Sequence, residues 1–221
     1  MHVQALYVHD DQSRLISIND WNGGSVPRFF LGRTDQGSIC RFRSDLPHEI
    51  CEELTTLCKT EPYRLSGPPI HEHEYQRILS RHGPVDHLWN GPAYWFSQTP
   101  TVVNTTTAIK AHDAFLLEQG LKDWIPDIPH QQPMSAMIVD DKAVAICASV
   151  RITDTAHEAG VETRASHQKQ GFAVSVVSAW AHAVQEMGAL PLYSTSNENM
   201  ASQKVAARLG LSKFGADFHI T

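Results

Sequence analysis

Apolar and polar positions along the chain change period several times, and each change marks an element. Near the N-terminus, "RLISIND", "RFFLGRT" and "SICRFRS" read as strands, separated by Gly23-Gly24 and by Asp35-Gln36-Gly37. The period then lengthens. In "DLPHEICEELTTLCK", Leu46, Ile50, Leu54 and Leu57 recur at helical spacing, with Asp45 expected as N-cap and Pro47 near the first turn. Glu61 to Pro69 has loop chemistry, and "EHEYQRILSRHG" predicts a second, short helix. Pro84 to Pro100 is rich in proline, glycine and aromatics, and a domain boundary is placed at its end: an α+β module over 1–98, then a second domain over 99–221.

The second half has sharper signals. "TVVN" predicts a short strand and "TTAIKAHDAFLLEQG" a helix ending at Gly120. "PMSAMIVDDKAVAICASVRIT" predicts two strands joined at Asp140-Asp141, and "AGVETR" a third. From Phe172 to Met187 the pattern is helical. Ala173, Val176, Val177, Trp180, Val184 and Met187 form its apolar stripe, and Ser175, Ser178, His182, Gln185 and Glu186 its wet one. Gly188 closes that helix. "LPLYSTS" is the next strand, "NMASQKVAARLG" a last helix closed by Gly210, and "LSKFGADFHIT" a final strand or strand pair. There is no internal repeat.

Composition narrows the class. The chain has 221 residues and a formal net charge of −6, with no long Lys/Arg run, which argues against nucleic acid as a partner. The longest apolar run, Ala143 to Ala148, is far too short to span a bilayer, so no membrane partner is expected. Cys40, Cys51, Cys58 and Cys147 form no C-x-x-C pair, and "MHVQALYVHDDQ" lacks the core of a signal peptide, so a reduced, cytoplasmic location is expected. No metal is expected: in "HEHEY", His71 and His73 have no third ligand near them in sequence. "WNGPAYWF" gathers Trp89, Tyr94, Trp95 and Phe96, which suit either an acceptor pocket or packing.

Gly171 marks a strand-to-helix junction in "VETRASHQKQGFAVSVV". A helix N-terminus offers unpaired N–H groups and a partial positive charge, and glycine leaves room for an anion to approach. The stretch Gln168-Lys169-Gln170-Gly171-Phe172-Ala173 therefore reads either as a pyrophosphate cradle or as a tight turn with no ligand. Neither a G-x-G dinucleotide fingerprint nor a G-K-[ST] loop accompanies it. The element order, with "GVETRASHQKQGFA" and "YSTSNENMASQKVAARLGL", resembles the GNAT superfamily of CoA-dependent N-acetyltransferases. The likeness covers roughly residue 100 to the C-terminus. It implies a mixed α/β (α+β) GNAT-type acyltransferase fold, preceded by a smaller α+β module like that of a bacterial subset.

The resemblance also implies a site. CoA pyrophosphate would sit on Gln168, Lys169, Gln170, Gly171, Phe172 and Ala173, with the pantetheine arm along Val161, Glu162 and Thr163 and against Asn199 and Ser202. Two positions depart from the family pattern: Gln168 replaces a frequent Arg, for which Lys169 or Arg164 is a substitute, and Ala206 stands where a tyrosine general acid is common. Acetyl-CoA is the implied co-substrate, and the implied acceptor is a small-molecule amine or a protein or peptide amine. A primary amine with pKa near ~10 needs a base before it attacks a thioester. Glu158 and Glu162 lie on one face of the strand, opposite Val161 and Thr163, and either is a candidate. Tyr193 is a candidate acid on the neighbouring strand. With no cysteine or serine placed as a nucleophile, direct attack in a ternary complex is expected. The competing classes are a non-catalytic acyl-CoA binder on the same fold and a plain nucleotide-phosphate binder. Oligomeric state is not encoded in these patterns.

Overall fold

The computed structural model describes residues 1–98, 100–101 and 105–221, so most of the predicted strand "TVVN" lies outside the described residues. In chain order the elements are α1 (His2–Leu6), β1 (Tyr7–His9), β2 (Leu15–Ile18), β3 (Phe29–Arg33), β4 (Ser38–Phe42), α2 (His48–Cys58), α3 (Glu72–Leu79), β5 (Leu88–Trp95), β6 (Thr107–Ala108), β7 (Met134–Val139), β8 (Lys142–Ile152), β9 (Ala156–Thr163), α4 (Phe172–Glu186), β10 (Leu190–Ser194), α5 (Met200–Arg208) and β11 (Ser212–Ile220). Short 3₁₀ turns occupy Ala111–Leu116, Lys122–Trp124 and Ala165–His167. The fold is mixed α/β and divides into two compact units: Met1–Tyr94 with Ser194–Met200 and Lys213–Thr221, and Trp95–Tyr193 with Ala201–Ser212. The C-terminal strand thus belongs with the N-terminal module, and not with the domain that precedes it in sequence.

In the first unit β4, β3, β11 and β5 are successive neighbours. β3 is buried along its whole length because its apolar run feeds two cores. Phe29 and Leu31 join Leu54, Tyr75 and Phe218 under α2 and α3, whereas Phe30 packs with Val3, Tyr7, Leu15 and Val26. β11 pairs antiparallel with β3 from Ala216↔Arg33 to Ile220↔Phe29. α2 starts at His48 with Pro47 at the N-cap; Asp45, the expected cap, instead binds Arg43 at 2.7 Å. The proline-rich stretch expected as a boundary carries β5, whose aromatics part company. Trp89 stacks on His219 in the first unit, and Phe96 packs edge-on against Trp180 in the second.

The second unit has the strand order β10-β9-β8-β7-β6. β7 and β8 form the expected hairpin, with Asp140 and Asp141 both at positive φ (49° and 57°), the geometry of a two-residue type I′ turn. One face of this sheet is covered by Ile109, Leu117, Leu121 and Ile128. The predicted helix over 106–120 is instead β6 followed by a 3₁₀ turn: Thr107 pairs with Ala136, and the Lys110 N–H donates to Asp113 Oδ2 at 2.9 Å. α4 lies against β7, β8 and β9. Its buried arc is wider than the predicted stripe and shifted from it. Ser175 and Ser178 are buried, and Met187 is 62 % exposed. The small hydroxyls allow close approach to the sheet, and Ser175 returns its hydroxyl to the Gly171 carbonyl.

Candidate active site

The site grows from one strand edge. β9 pairs antiparallel with β8 along its length, but parallel with β10 only from Ala156↔Leu190 to Glu158↔Leu192. Beyond Glu158, β9 continues to Thr163 without a register partner in β10. In an antiparallel ladder the peptide groups of alternate residues face opposite sides. Arg164 donates to the Val144 carbonyl at 2.9 Å, which sets the phase. Glu162 therefore turns its peptide groups to β8, and Val161 and Thr163 turn theirs to the open side. An extended ligand with amide groups can add there as a strand.

The open edge leads into the turn. Arg164 leaves the strand, Ala165–His167 make one 3₁₀ turn, and Gln168 is extended (φ −68°, ψ 160°). Lys169 then takes φ 64° and Gly171 φ 86°. A lysine in the left-handed region is uncommon, and such residues concentrate at binding sites. Gly171 is the N-cap of α4 and supplies no side-chain cap, so the first N–H groups of the helix have no intrahelical acceptor. A Cβ built on Gly171 would meet nothing within 4 Å. The glycine is thus needed for its backbone angle, and the space before the helix end is open. Left-handed residues at a turn and a free helix N-terminus together make an anion cradle. The Gln168 amide, which stands where a charge was expected, reaches back to the Thr163 carbonyl at 3.4 Å. The rings of His167 and Phe172 meet at 6.4 Å.

The two candidate bases share a face but do different things. Glu158 is buried beside the point where β9 and β10 part. Glu162 is exposed and accepts a hydrogen bond from Trp124 Nε1 at 2.6 Å. Four residues of strand separate them, about 13 Å at the usual rise, so they are not a carboxylate pair. Gly160 lies between, and its missing side chain makes room for Val150 and the Trp124 ring. Tyr193 is buried, with its hydroxyl 2.7 Å from Ser202 Oγ, which joins two of the predicted residues on β10 and α5. Asn199 immediately precedes α5, and its N–H donates to Ser196 Oγ. Ala206, at the position of the family's usual tyrosine, is buried at 1 % exposure.

Two contributors were missed from sequence. Trp124 sits in a stretch without periodicity, so only its partner on β9 reveals it. His157 alternates with Glu158 onto the α4 face. Its Nδ1 is 2.8 Å from Ser149 Oγ, which also accepts from Trp180 Nε1 at 2.9 Å. Burial lowers the His157 pKa, which keeps the ring neutral. This network fixes β9 to α4 from below the open edge.

An open strand edge that ends on a glycine-capped helix N-terminus suits one class of ligand, extended and amide-bearing with an anionic group at one end. Residues 135–215 match the family model of the GNAT acetyltransferases. The match runs from β7 into β11, and over that segment the chain is similar to the GNAT superfamily. Solved structures share its fold at low identity. A GCN5-related N-acetyltransferase-like protein from Streptococcus suis is 14 % identical, with a TM-score of 0.54 over 89 % of this chain and 85 % of that one. A GNAT-family acetyltransferase from Colwellia psychrerythraea is 16 % identical, with a TM-score of 0.51 over 83 % and 76 %. A GNAT-family protein from Novosphingobium aromaticivorans is 13 % identical, with a TM-score of 0.51 over 62 % of this chain and 65 % of its own length, just under two thirds. No curated protein matches the chain. No helix among the described residues is long and apolar enough to cross a membrane.

Proposed function

We propose that this protein transfers an acyl group, acetyl in the first instance, from acyl-CoA to an amine by direct attack. The observation that carries the reading is the continuity of the open β9 edge at Val161 and Thr163 with the Gly171 turn and the N-terminus of α4. The pyrophosphate is held by the turn, with Lys169 as the nearest cation in sequence. The pantetheine arm adds to the strand edge, which carries the thioester back toward Glu158. The residues fit this co-substrate: the helix N–H groups lack intrahelical acceptors, and the space at Gly171 is open.

Position along the strand selects Glu158 over Glu162 as the base. Glu162 lies one residue from the strand's phosphate end and is engaged by Trp124. Glu158 takes the amine proton, directly or through a water. The amine nitrogen then bonds to the thioester carbonyl carbon, and a peptide N–H on the open edge stabilises the oxyanion. Collapse breaks the C–S bond, and the thiolate takes a proton. Tyr193, paired with Ser202, is the candidate donor in place of the tyrosine missing at 206. Release of free CoA from acetyl-CoA in the presence of an amine panel tests the activity. Acetyl-CoA binding with no turnover on any amine would leave the second reading, a non-catalytic acyl-CoA binder, which buried Ala206 favours. Absence of acetyl-CoA binding would overturn both.

A further inference from the structure

The N-terminal unit holds a feature that acyl transfer does not use. A pocket of about 500 Å³ opens beside β4, the end strand of its sheet, and α2 forms its other wall. Arg14, Arg41 and Lys59 line it, with His48 and a single carboxylate, Glu52, which lies 3.3 Å from that histidine. Cationic side chains outnumber acidic ones, in a chain that is acidic overall.

Two thiols line the same pocket. Cys51 is buried and receives Arg14 Nη1 at 2.8 Å. Burial raises its pKa, with Arg14 opposing, so its sulfur stays protonated and shielded. Cys40 is partly exposed on β4. Behind it, Cys58 at the end of α2 belongs to the buried cluster against which Cys40 packs. A side-chain hydrogen bond ties the two segments together, Ser38 Oγ donating to the Cys58 carbonyl at 3.0 Å. The neighbouring Cys58, aided by Thr55 and Arg41 against the effect of burial, brings the Cys40 pKa down to about 7. Cys40 first and burial second raise that of Cys58, with Tyr75 opposing. A partly exposed thiolate, a neighbouring thiol and a cationic mouth are the arrangement of a redox-responsive cysteine.

We propose that Cys40 is a site of reversible thiol oxidation, attacking anionic low-molecular-weight disulfides of the glutathione type at the cationic pocket, and that Cys58 resolves the product to a Cys40–Cys58 disulfide. In the first step the Cys40 thiolate bonds to one sulfur of the disulfide RSSR. The old S–S bond breaks, and its electron pair leaves on RS⁻, which takes a proton from water. The Cys58 sulfur gives its proton to solvent, attacks the Cys40 sulfur and expels the second RS⁻. The dithiol is oxidised by two electrons, and RSSR is reduced to two thiols. Cys51 and Cys147 stay unmodified because both are buried.

The test treats the full native chain with glutathione disulfide near pH 7.5, followed by intact mass and peptide mapping. The wild type is expected to lose two hydrogens and yield a linked Cys40–Cys58 peptide pair, reversed by dithiothreitol. Cys58→Ser is expected to retain one glutathionyl group on Cys40. Alkylation of the wild type by iodoacetamide, which needs no variant to fold, should label Cys40 about ten-fold or more faster than Cys51, with half-maximal rate near pH 7. Glutathione disulfide should react faster than uncharged hydroxyethyl disulfide, and high salt should erase that advantage. Equal labelling of Cys40 and Cys51, or a persistent mixed disulfide at Cys40 in the wild type, would overturn the proposal. Equal rates for the two disulfides would overturn the role of the pocket.

Discussion

Gly171 offers a test in which backbone strain and ligand charge separate. Gly171→Ala and Gly171→Glu impose the same demand on the chain, an L-residue at φ 86°. That costs about 1–2 kcal/mol, and no steric term is added because a Cβ there meets nothing within 4 Å. Both variants should therefore melt lower by a similar amount, at about 2–4 °C per kcal/mol for a chain of this size. They differ in one carboxylate. If a phosphate charge sits about 5 Å from it, repulsion is about 0.8 kcal/mol with water-like screening and about 3 kcal/mol at the effective dielectric of a protein surface. The Glu variant should thus bind CoA about 4- to 250-fold more weakly than the Ala variant, and the gap should narrow at high ionic strength. Calorimetric titration of both variants with CoA at two salt concentrations, with melting curves on the same samples, measures each quantity. Equal CoA affinity in two folded variants would remove the anion cradle from the reading of this turn.

Three further outcomes are expected. Glu158→Gln should lower turnover by about 10²–10⁴-fold with acetyl-CoA affinity retained, while Glu162→Gln keeps most of its rate; the reverse order in steady-state kinetics would move the base to Glu162. Gly160→Ala places a Cβ 2.1 Å from Val150 Cγ1 and 3.1 Å from Trp124, and should cost about 1–3 kcal/mol in chemical denaturation; a wild-type midpoint would mean that Trp124 and Val150 are free to yield. His219 is pushed down to about 4 by burial, with Asp217 opposing, so the native state binds fewer protons than the unfolded one between that value and the ordinary histidine range near 6.5. Its contribution is full above about 6.5 and is lost as pH falls toward 4, a few kcal/mol at most. His219→Gln should flatten that part of the acid limb in stability-versus-pH curves, and an unchanged slope would assign it to other groups.

Much of this was legible in the sequence, for reasons that can be named. The β7–β8 hairpin, β9, α4 and the Gly171 turn were readable because strand period, Asp140-Asp141 and a glycine at a helix start are local signals. Segment 106–120 misled because its apolar positions suit a helix, yet Thr107 finds a strand partner in Ala136, which is remote in sequence. The wet face assigned to Ser175 and Ser178 failed for a related cause: serine's polarity says nothing about the close approach its size permits. The place of the C-terminal strand was not readable, because β11 pairs with β3, nearly two hundred residues earlier. Of the candidate site, the residues named on β9 and the turn fall on one strand edge and the helix start that follows it. Trp124, Ser149 and His157 were not readable, because each matters only through a partner on another strand or helix.

The open edge of β9 has a partner of its own in Gln168. Unpaired strand edges are costly when desolvated and invite unwanted pairing when exposed. Here the liability is brief, confined to the residues between the end of β10 pairing and the turn. At its last position the Gln168 amide donates to the Thr163 carbonyl, although at 3.4 Å the bond is long. On the proposed reading, the charge of a phosphate at this turn would be met by the helix N-terminus and Lys169. The positive φ of Lys169 is the local cost of aiming that turn, which a pyrophosphate would offset by bonding to the N–H groups the turn exposes.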